Sequence, residues 1–135
     1  MRVVIDCNVL VSAARSGGVC GEVIIVAMRN HEVVLSRPVV DEYKEIAGRS
    51  AHARYGDDLL AIIAELEQAA VFVEPSDVVF GLGDPDDEIY LATATAGGAA
   101  LISGNRRDFT EPRYGSVDVF SPRAFLDLRT EGIST

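Results

Sequence analysis

The segment GDPDDEIYLATATAGGAALIS, residues 83–103, contains the start of a helix, its end and the strand that follows it. Asp84 stands where an N-cap residue belongs and Pro85 takes the first helical position, so a helix is predicted over residues 85–96. A Gly-Gly pair ends this helix, and the apolar run AALIS, 99–103, predicts a strand. A helix that leads into a buried strand is one unit of an alternating α/β fold.

The same alternation extends on both sides of this segment. Apolar runs rich in Val predict further strands at 2–6, 32–36, 71–74 and 117–121. Helices are predicted at 22–29, 38–48 and 56–70, with a helical turn at 8–15 and a short final helix opening at SPRAFLDL. This order predicts a three-layer α/β/α fold, with a mostly parallel sheet of about five strands. Because no repeat or linker interrupts it, residues 1–135 are expected to form a single domain.

The composition favours a cytoplasmic protein. The chain is 48% hydrophobic, which argues against disorder, and no apolar run reaches the roughly 18 residues of a membrane-spanning helix. The N-terminus, MRVVIDCNVL, is too short and too polar for a signal peptide, so no membrane association is expected. Cys7 and Cys20 indicate reduced thiols rather than a disulfide framework, and the two histidines have no partners at zinc-ligand spacing.

The charge of the chain restricts its partners. The formal net charge is -9, which argues against broad electrostatic binding to nucleic acid. It permits a divalent cation or a basic protein partner. A phosphate-containing substrate then requires local arginines or a metal ion to offset the negative field.

Acidic and amide side chains are predicted to meet at one edge of the sheet. In folds of this class, ligands bind beyond the C-terminal ends of the strands. Asp6 ends the first strand, and Asn105 and Asp108 follow the fourth. Because the helices run antiparallel to the strands, their first turns, which contain Glu42 and residues 84–88, point to the same edge. Asp6 could alternatively be a turn residue at a strand end.

Glu42 and Asp87 are each predicted to lie on an apolar helical stripe. Glu42 shares its stripe with Val39 and Ile46, and an acid in that position needs a partner or a metal because an unpaired buried charge is costly. A snorkelling or capping role is the alternative for Glu42. Asp87 shares its stripe with two apolar residues that should face the sheet, and Glu88 is its possible substitute. Helix capping alone accounts for the other acids of this turn, Asp84 and Asp86.

The loop ISGNRRDF, 102–109, completes the predicted site. Asn105 has a carbonyl oxygen that can ligate a metal or orient a water. Arg106 and Arg107 are candidates for phosphate contacts, with two solvated loop arginines as the alternative. Asp108 is either a ligand or the ion-pair partner of one of these arginines.

Hard oxygen ligands without Cys or His suit Mg²⁺ or Mn²⁺ rather than Zn²⁺. Mg²⁺ usually keeps several waters, and a water polarised by the ion is a nucleophile for phosphodiester cleavage. The cation would also neutralise charge on the phosphate, which reconciles an acidic protein with a polyanionic substrate.

Four motifs, in order over nearly the whole chain, resemble the PIN domain family. They are VVIDCNVLVSA, LSRPVVDEYKEIAGR, DPDDEIYLATATAGGAALISGNRRDF and VFSPRAFLDL. The likeness is greatest to toxins of toxin–antitoxin systems related to VapC. The resemblance implies a Rossmann-like fold and a Mg²⁺- or Mn²⁺-dependent ribonuclease acting on RNA. It also implies a cognate antitoxin and a homodimer.

The resemblance also assigns the site residues. Its first three acids match Asp6, Glu42 and Asp87, whereas its fourth acid is replaced by Asn105, so that Asp108 would supply the missing charge. Further candidates are Asp84, Glu88 and Asn8. The sequence thus predicts a metal-dependent endoribonuclease that is the toxin of a toxin–antitoxin pair. The replacement of the fourth acid by Asn105 motivates a second hypothesis: a non-catalytic module that binds an antitoxin or another partner.

Two further hypotheses concern Asp6 and the helix over 56–70. A phosphatase-like hydrolase with Asp6 as nucleophile usually needs a second acid two residues later, and Asn8 stands there instead. The helix over 56–70 has more apolar residues than one core face needs, which indicates either a deeply buried helix or a surface for a second copy or an antitoxin.

Overall fold

The structure, a computed structural model, describes residues 1–133 and contains six strands and six α-helices in that range. The strands are β1 (Arg2–Ile5), β2 (Glu32–Leu35), β3 (Val71–Phe72), β4 (Ala100–Ile102), β5 (Arg113–Tyr114) and β6 (Val117–Phe120). The helices are α1 (Cys7–Ser16), α2 (Gly18–Asn30), α3 (Arg37–Ala47), α4 (Gly56–Ala69), α5 (Pro85–Gly97) and α6 (Pro122–Ile133), with a 3-10 helix at Ser50–Tyr55.

The strands form one sheet in the order β3-β2-β1-β4-β6-β5. All neighbouring pairs are parallel except β5 and β6, and β1 lies between β2 and β4, with Val3 opposite both Val33 and Ala100. From β1 the chain adds β2 and β3 on one side, and then β4 and β6 on the other. The strand order therefore reverses between β1 and β4, which is where such sheets bind ligands. The predicted α/β/α fold with a mostly parallel sheet is confirmed.

The element bounds differ from the prediction in places where glycines and short strands carry little periodic signal. Residues 7–16 form a full helix rather than a turn, and α2 begins at Gly18, four residues before its predicted start. The break between them is a single residue, Gly17, whose φ of 70° is left-handed. The strand predicted at 71–74 has only two residues, and β5 was not predicted because two residues show no alternation.

Close packing of α5 against the sheet depends on its last residue. Gly97 lies against β2, so that a Cβ at this position would be 2.6 Å from Cγ1 of Val34. The following Gly98 has a left-handed φ of 61° and ends the helix, as the Gly-Gly pair predicts. This contact fixes the depth of α5, and with it the position of the acids in its first turn.

Helix α4 has the surplus of apolar side chains that its sequence indicates. Leu59, Ile63 and Leu66 are buried, whereas Leu60 is 46% exposed.

Among the described residues, no single helix is long and apolar enough to span a membrane. Helices α1 and α2 reach the necessary length and composition only together, across a bend of 117°.

Candidate active site

Asp6 lies at the point where the strand order reverses. It follows β1 directly, precedes α1 in an extended conformation, and is 3% exposed. Its Oδ2 accepts hydrogen bonds from Ser103 Oγ at 2.7 Å and from Asn8 Nδ2 at 3.3 Å. Burial raises the pKa of Asp6, and the hydrogen bond from Ser103 opposes that rise. The carboxylate therefore has a fixed direction.

The backbone on either side of Asp6 is held by two buried tyrosines. The hydroxyl of Tyr43 donates to the carbonyl of Ile5, and the hydroxyl of Tyr90 accepts from the amide of Cys7 at 3.2 Å. The amide of Asp6 itself donates to the carbonyl of Ile102, on β4, at 2.9 Å. The peptide groups at the end of β1 are thus hydrogen-bonded to α3, α5 and β4, which holds the backbone around Asp6 in a single conformation.

Cys7 has no role as a nucleophile in this arrangement. Burial, and then the charge of Asp6, raise the pKa of its thiol to about 12, so that the reactive thiolate is scarce at neutral pH.

The first turn of α5 confirms the predicted division of its acids. Asp84 is the N-cap, and its Oδ1 accepts from the amide of Asp86 at 2.9 Å. Asp87 is 8% exposed and shares a buried stripe with Leu91 and Ala94. Asp84 thus begins the helix, and Asp87 is directed toward the sheet edge.

Asp87 and Asp108 form a close pair of carboxyl groups. Burial, followed by the charge of Asp108 and a hydrogen bond with it, raises the pKa of Asp87 to about 7. The charges of Asp84 and Asp6 add to this rise. The structure therefore brings together acids from the residue after β1, from α5 and from the loop after β4.

Glu42 stands at the rim of this group. It is half-buried in α3, and Val39 and Ile46 on its stripe are buried, as predicted. Burial raises the pKa of Glu42, and the charge of Asp86 raises it further. The acids that act on Glu42 are Asp86 and Asp84, at the start of α5, and Glu45 in its own helix; the pair of Asp87 and Asp108 is not among them.

Asn105 shapes the loop after β4. Its Oδ1 accepts from the amides of Arg107 at 3.1 Å and Asp108 at 3.2 Å, and its Nδ2 donates to Asp108 Oδ2 at 2.6 Å. The side chain is thus engaged within the loop and orients Asp108. Within residues 1–133, no ion pair joins Asp108 to Arg106 or Arg107, so the predicted alternative of an ion pair is wrong. The side-chain amide of Asn105 is the partner of Asp108 instead.

Two further candidates bind backbone groups. Glu88 accepts from the amide of Phe80 at 2.8 Å and from that of Leu82 at 2.7 Å, which holds the segment before α5. Asn8 donates to Asp6 and accepts from the amide of Gly104 at 3.2 Å, which links α1 to the loop after β4. Both residues therefore support the site rather than present free oxygens to it.

The donor chemistry fits a hard divalent cation, with few protein ligands. Over the described part of the chain, no three His, Cys, Asp or Glu side chains are close enough together to hold a metal ion by themselves. Asp87 and Asp108 are nonetheless adjacent oxygen donors whose repulsion a cation would relieve. Mg²⁺ is commonly held by one or two carboxylates together with waters and phosphate oxygens, and this pair beside Asp6 meets that need.

Ser103, Tyr43 and Tyr90 were not predicted from the sequence. Ser103 follows an apolar strand and precedes the Gly-Asn turn, which is a usable signal for a strand-end residue. The two tyrosines lie within helical stripes and cannot be told from ordinary core residues until their hydroxyls find partners.

Comparison with known proteins places the fold. Two similar solved structures are VapBC2 from Rickettsia felis bound to a DNA fragment from the promoter, and VapBC-1 from nontypeable Haemophilus influenzae. The first matches with a TM-score of 0.63 and 13% identity over 90% of this chain and 98% of that one. The second has a TM-score of 0.61 and 15% identity over 91% and 99%. No curated protein sequence matches this chain.

The family follows from the sequence. The profile of the PIN domain matches residues 2–107, which include the segments that carry Asp6, Glu42 and Asp87. The chain belongs to the PIN domain family.

Proposed function

We propose that this PIN domain is a Mg²⁺- or Mn²⁺-dependent endoribonuclease and the toxin of a toxin–antitoxin pair. The observation that carries the proposal is the pair of Asp87 and Asp108 beside the fixed carboxylate of Asp6, at the reversal of the strand order. The pKa of Asp87 is raised to about 7 because burial and the charge of Asp108 disfavour its ionised form. A carboxyl pair that costs stability in this way is typical of functional sites.

The proposed ligands are Asp6, Asp87 and Asp108, with Glu42 at the rim as a further acid. When bound, the cation supplies a polarised water and neutralises charge on the phosphate. Asn105 holds Asp108 in position and is the candidate to orient the water. Three further residues are proposed to support the site. Asn8 binds the carboxylate of Asp6, whereas Asp84 and Glu88 bind backbone amides.

Arg106 and Arg107 are proposed to contact RNA phosphates. Both are exposed, and no ion pair within the described residues involves either one. They lie in the same loop as Asp108. Positive charge next to the acids would let a chain of net charge -9 bind a polyanion.

The proposed partner is a cognate antitoxin in the cytoplasm, and the proposed assembly is a homodimer. The similar structures are both of VapBC proteins, which supports a toxin–antitoxin role. The exposed Leu60 of α4 is a candidate contact for either partner.

Cleavage and metal binding test the proposal together. The parent, Asp6→Asn and Asp87→Asn are incubated with a mixed RNA pool and Mn²⁺, and calorimetric titration with Mn²⁺ is run on each. We expect cleavage and heat of binding for the parent and the loss of cleavage in both variants. The control is Asp127→Asn, an exposed acid on α6. Cleavage by both variants at the parent rate would remove the assignment.

A second candidate function is a non-catalytic module that binds an antitoxin. It is favoured by one observation: Asn105, at the position of the fourth family acid, has its side chain engaged within its own loop. No heat at millimolar Mn²⁺ and no cleavage of any RNA in the pool would establish this candidate instead.

A further inference from the structure

Two clefts flank the loop 103–108. The α6 cleft, of about 340 Å³, lies between this loop and the start of α6 at Ser121 and Ala124. The α1 cleft, of about 460 Å³, lies between the loop and α1, at Asn8 and Ser12. Both volumes fall in the range of about 300–1,000 Å³ that small-molecule sites occupy, so that each cleft has room for a nucleotide-sized group.

The clefts meet at the residues that hold Asp6. Ser103 lines the α6 cleft and Asn8 lines the α1 cleft, and both donate to the same oxygen of Asp6. Asn105 and Arg106 line both clefts. A molecule that occupies both clefts must therefore pass Arg106 and the hydrogen-bond partners of Asp6.

Taken together, the two linings have a net positive charge, although the chain is acidic. Arg106 lines both clefts and Arg107 lines the α1 cleft, whereas Glu111 is the one acid among the lining residues. Phe109 and Pro112 line only the α6 cleft and give it apolar groups, whereas Arg107 lines only the α1 cleft and gives it a second positive charge. The first is suited to a nucleoside and the second to a sugar–phosphate backbone.

We propose that single-stranded RNA crosses the loop from one cleft to the other. One nucleoside occupies the α6 cleft, the backbone on the other side of the loop lies in the α1 cleft beside Arg107, and Arg106 contacts the phosphate between them. This rests on the proposed function and adds to it the path of the strand, which contacts the protein on both sides of the loop that carries Asp108.

Binding of a labelled single-stranded RNA hexamer tests the charge contacts. Fluorescence anisotropy is measured in Mg²⁺ with Asp87→Asn as the background, so that the RNA stays intact, and a gel verifies this. Arg106→Ala and Arg107→Ala should each weaken binding about five- to tenfold and lower the slope of log K against log salt by about 0.7. The control is Arg29→Ala, an exposed arginine at the end of α2. Glu111→Gln should tighten binding about two- to threefold.

Filling each cleft separately tests the path. Ser12→Phe narrows the α1 cleft and Ala124→Phe narrows the α6 cleft, and circular dichroism checks the fold of both. Each should weaken hexamer binding at least tenfold. Only Ala124→Phe, in the cleft proposed for the nucleoside, should weaken binding of a mononucleotide. Weakening of hexamer binding by one filling variant alone would place the RNA in a single cleft and overturn the path. Arginine variants that behave like Arg29→Ala would also overturn it.

The binding results are independent of the catalytic assignment. If the hexamer binds with these dependences while the parent cleaves no RNA, the path is supported and the nuclease assignment fails. If the parent cleaves RNA and both filling variants bind the hexamer as tightly as their background, the path fails and the nuclease assignment stands.

Discussion

Ser103 Oγ lies 2.7 Å from Asp6 Oδ2, and the two residues are 97 positions apart in the chain. Ser103 also accepts a hydrogen bond from the amide of Asn105 at 3.0 Å. One hydroxyl therefore joins the end of β1 to the loop that carries Asp108. This bond orients a buried carboxylate and makes its ionised form easier to maintain.

Ser103→Ala should move the acid limb of the cleavage–pH profile to higher pH. The hydrogen bond lowers the pKa of Asp6, so that its loss leaves the buried carboxyl with a higher pKa. We also expect a loss of unfolding free energy of about 1–3 kcal/mol, because a buried acceptor loses its donor. The measurements are cleavage rate from pH 5 to 9 and urea unfolding. Ser116→Ala, at an exposed turn, is the control; an unshifted profile in Ser103→Ala would contradict the positioning role.

Asp87→Asn should stabilise the protein at pH 8 in the absence of metal. The folded pKa of Asp87 is raised from 3.8 to about 7, so that folding favours the protonated form. The stability that this group contributes is present below its unfolded pKa and is lost as the pH rises through about 7. The variant has no such loss, and should gain on the order of 1 kcal/mol at pH 8 after allowance for solvent screening.

Urea unfolding of the parent and Asp87→Asn at pH 5 and pH 8 measures this difference. The gap between the two proteins should be larger at pH 8 than at pH 5. Adding Mg²⁺ at pH 8 should stabilise the parent more than the variant, because a ligand of the folded state adds to its stability. Equal gaps at both pH values would show that Asp87 does not titrate in this range.

Glu88→Gln should loosen the segment before α5. Both carboxylate oxygens accept backbone amides, from Phe80 and Leu82, and glutamine offers one acceptor and one donor in their place. One amide then loses its partner, at a cost of about 1–3 kcal/mol. Hydrogen exchange of these two amides should become faster. Glu74→Gln, at an exposed position, should leave their exchange rates unchanged. Equal protection of the two amides in both variants would show that Glu88 does not hold this segment.

Gly97→Ala should destabilise the fold by about 1–3 kcal/mol, because the new Cβ would lie 2.6 Å from Cγ1 of Val34 and force α5 away from β2. Val34→Ala in the same chain should recover part of this loss by removing the methyl group in contact. Gly21→Ala, a helical glycine with open space around its Cβ position, is the matched control and should stabilise by about 0.4–1 kcal/mol. Thermal unfolding measures all three variants.

The sequence predicted the parts of the site that depend on periodicity. The stripe of Asp87, Leu91 and Ala94 follows from helical spacing, and it is buried as predicted. The cap by Asp84 follows from local chemistry and is confirmed by its bond to the amide of Asp86. The edge to which both belong follows from the antiparallel course of helices and strands.

The hydrogen bonds that hold the site were not predictable in the same way. The engagement of Asn105 with its own loop depends on backbone angles that periodicity does not encode. The bond from Tyr43 to Ile5 depends on β1 and α3 being packed together, which is a property of the whole fold. The early start of α2 was missed because glycines at 17, 18 and 21 predict a longer break than the one present.

The central place of β1 determines when during synthesis the site can exist. β1 leaves the ribosome well before its partner β4, so that Val3 must wait for Ala100, and Asp6 must wait for Ser103 and the loop to Asp108. Contacts this distant in sequence form late, because the chain must close a long loop before they are gained. A nascent or truncated chain that ends before Asp108 cannot contain the acidic site. A cell that translates this protein therefore has no assembled acidic site until Asp108 has been added to the chain.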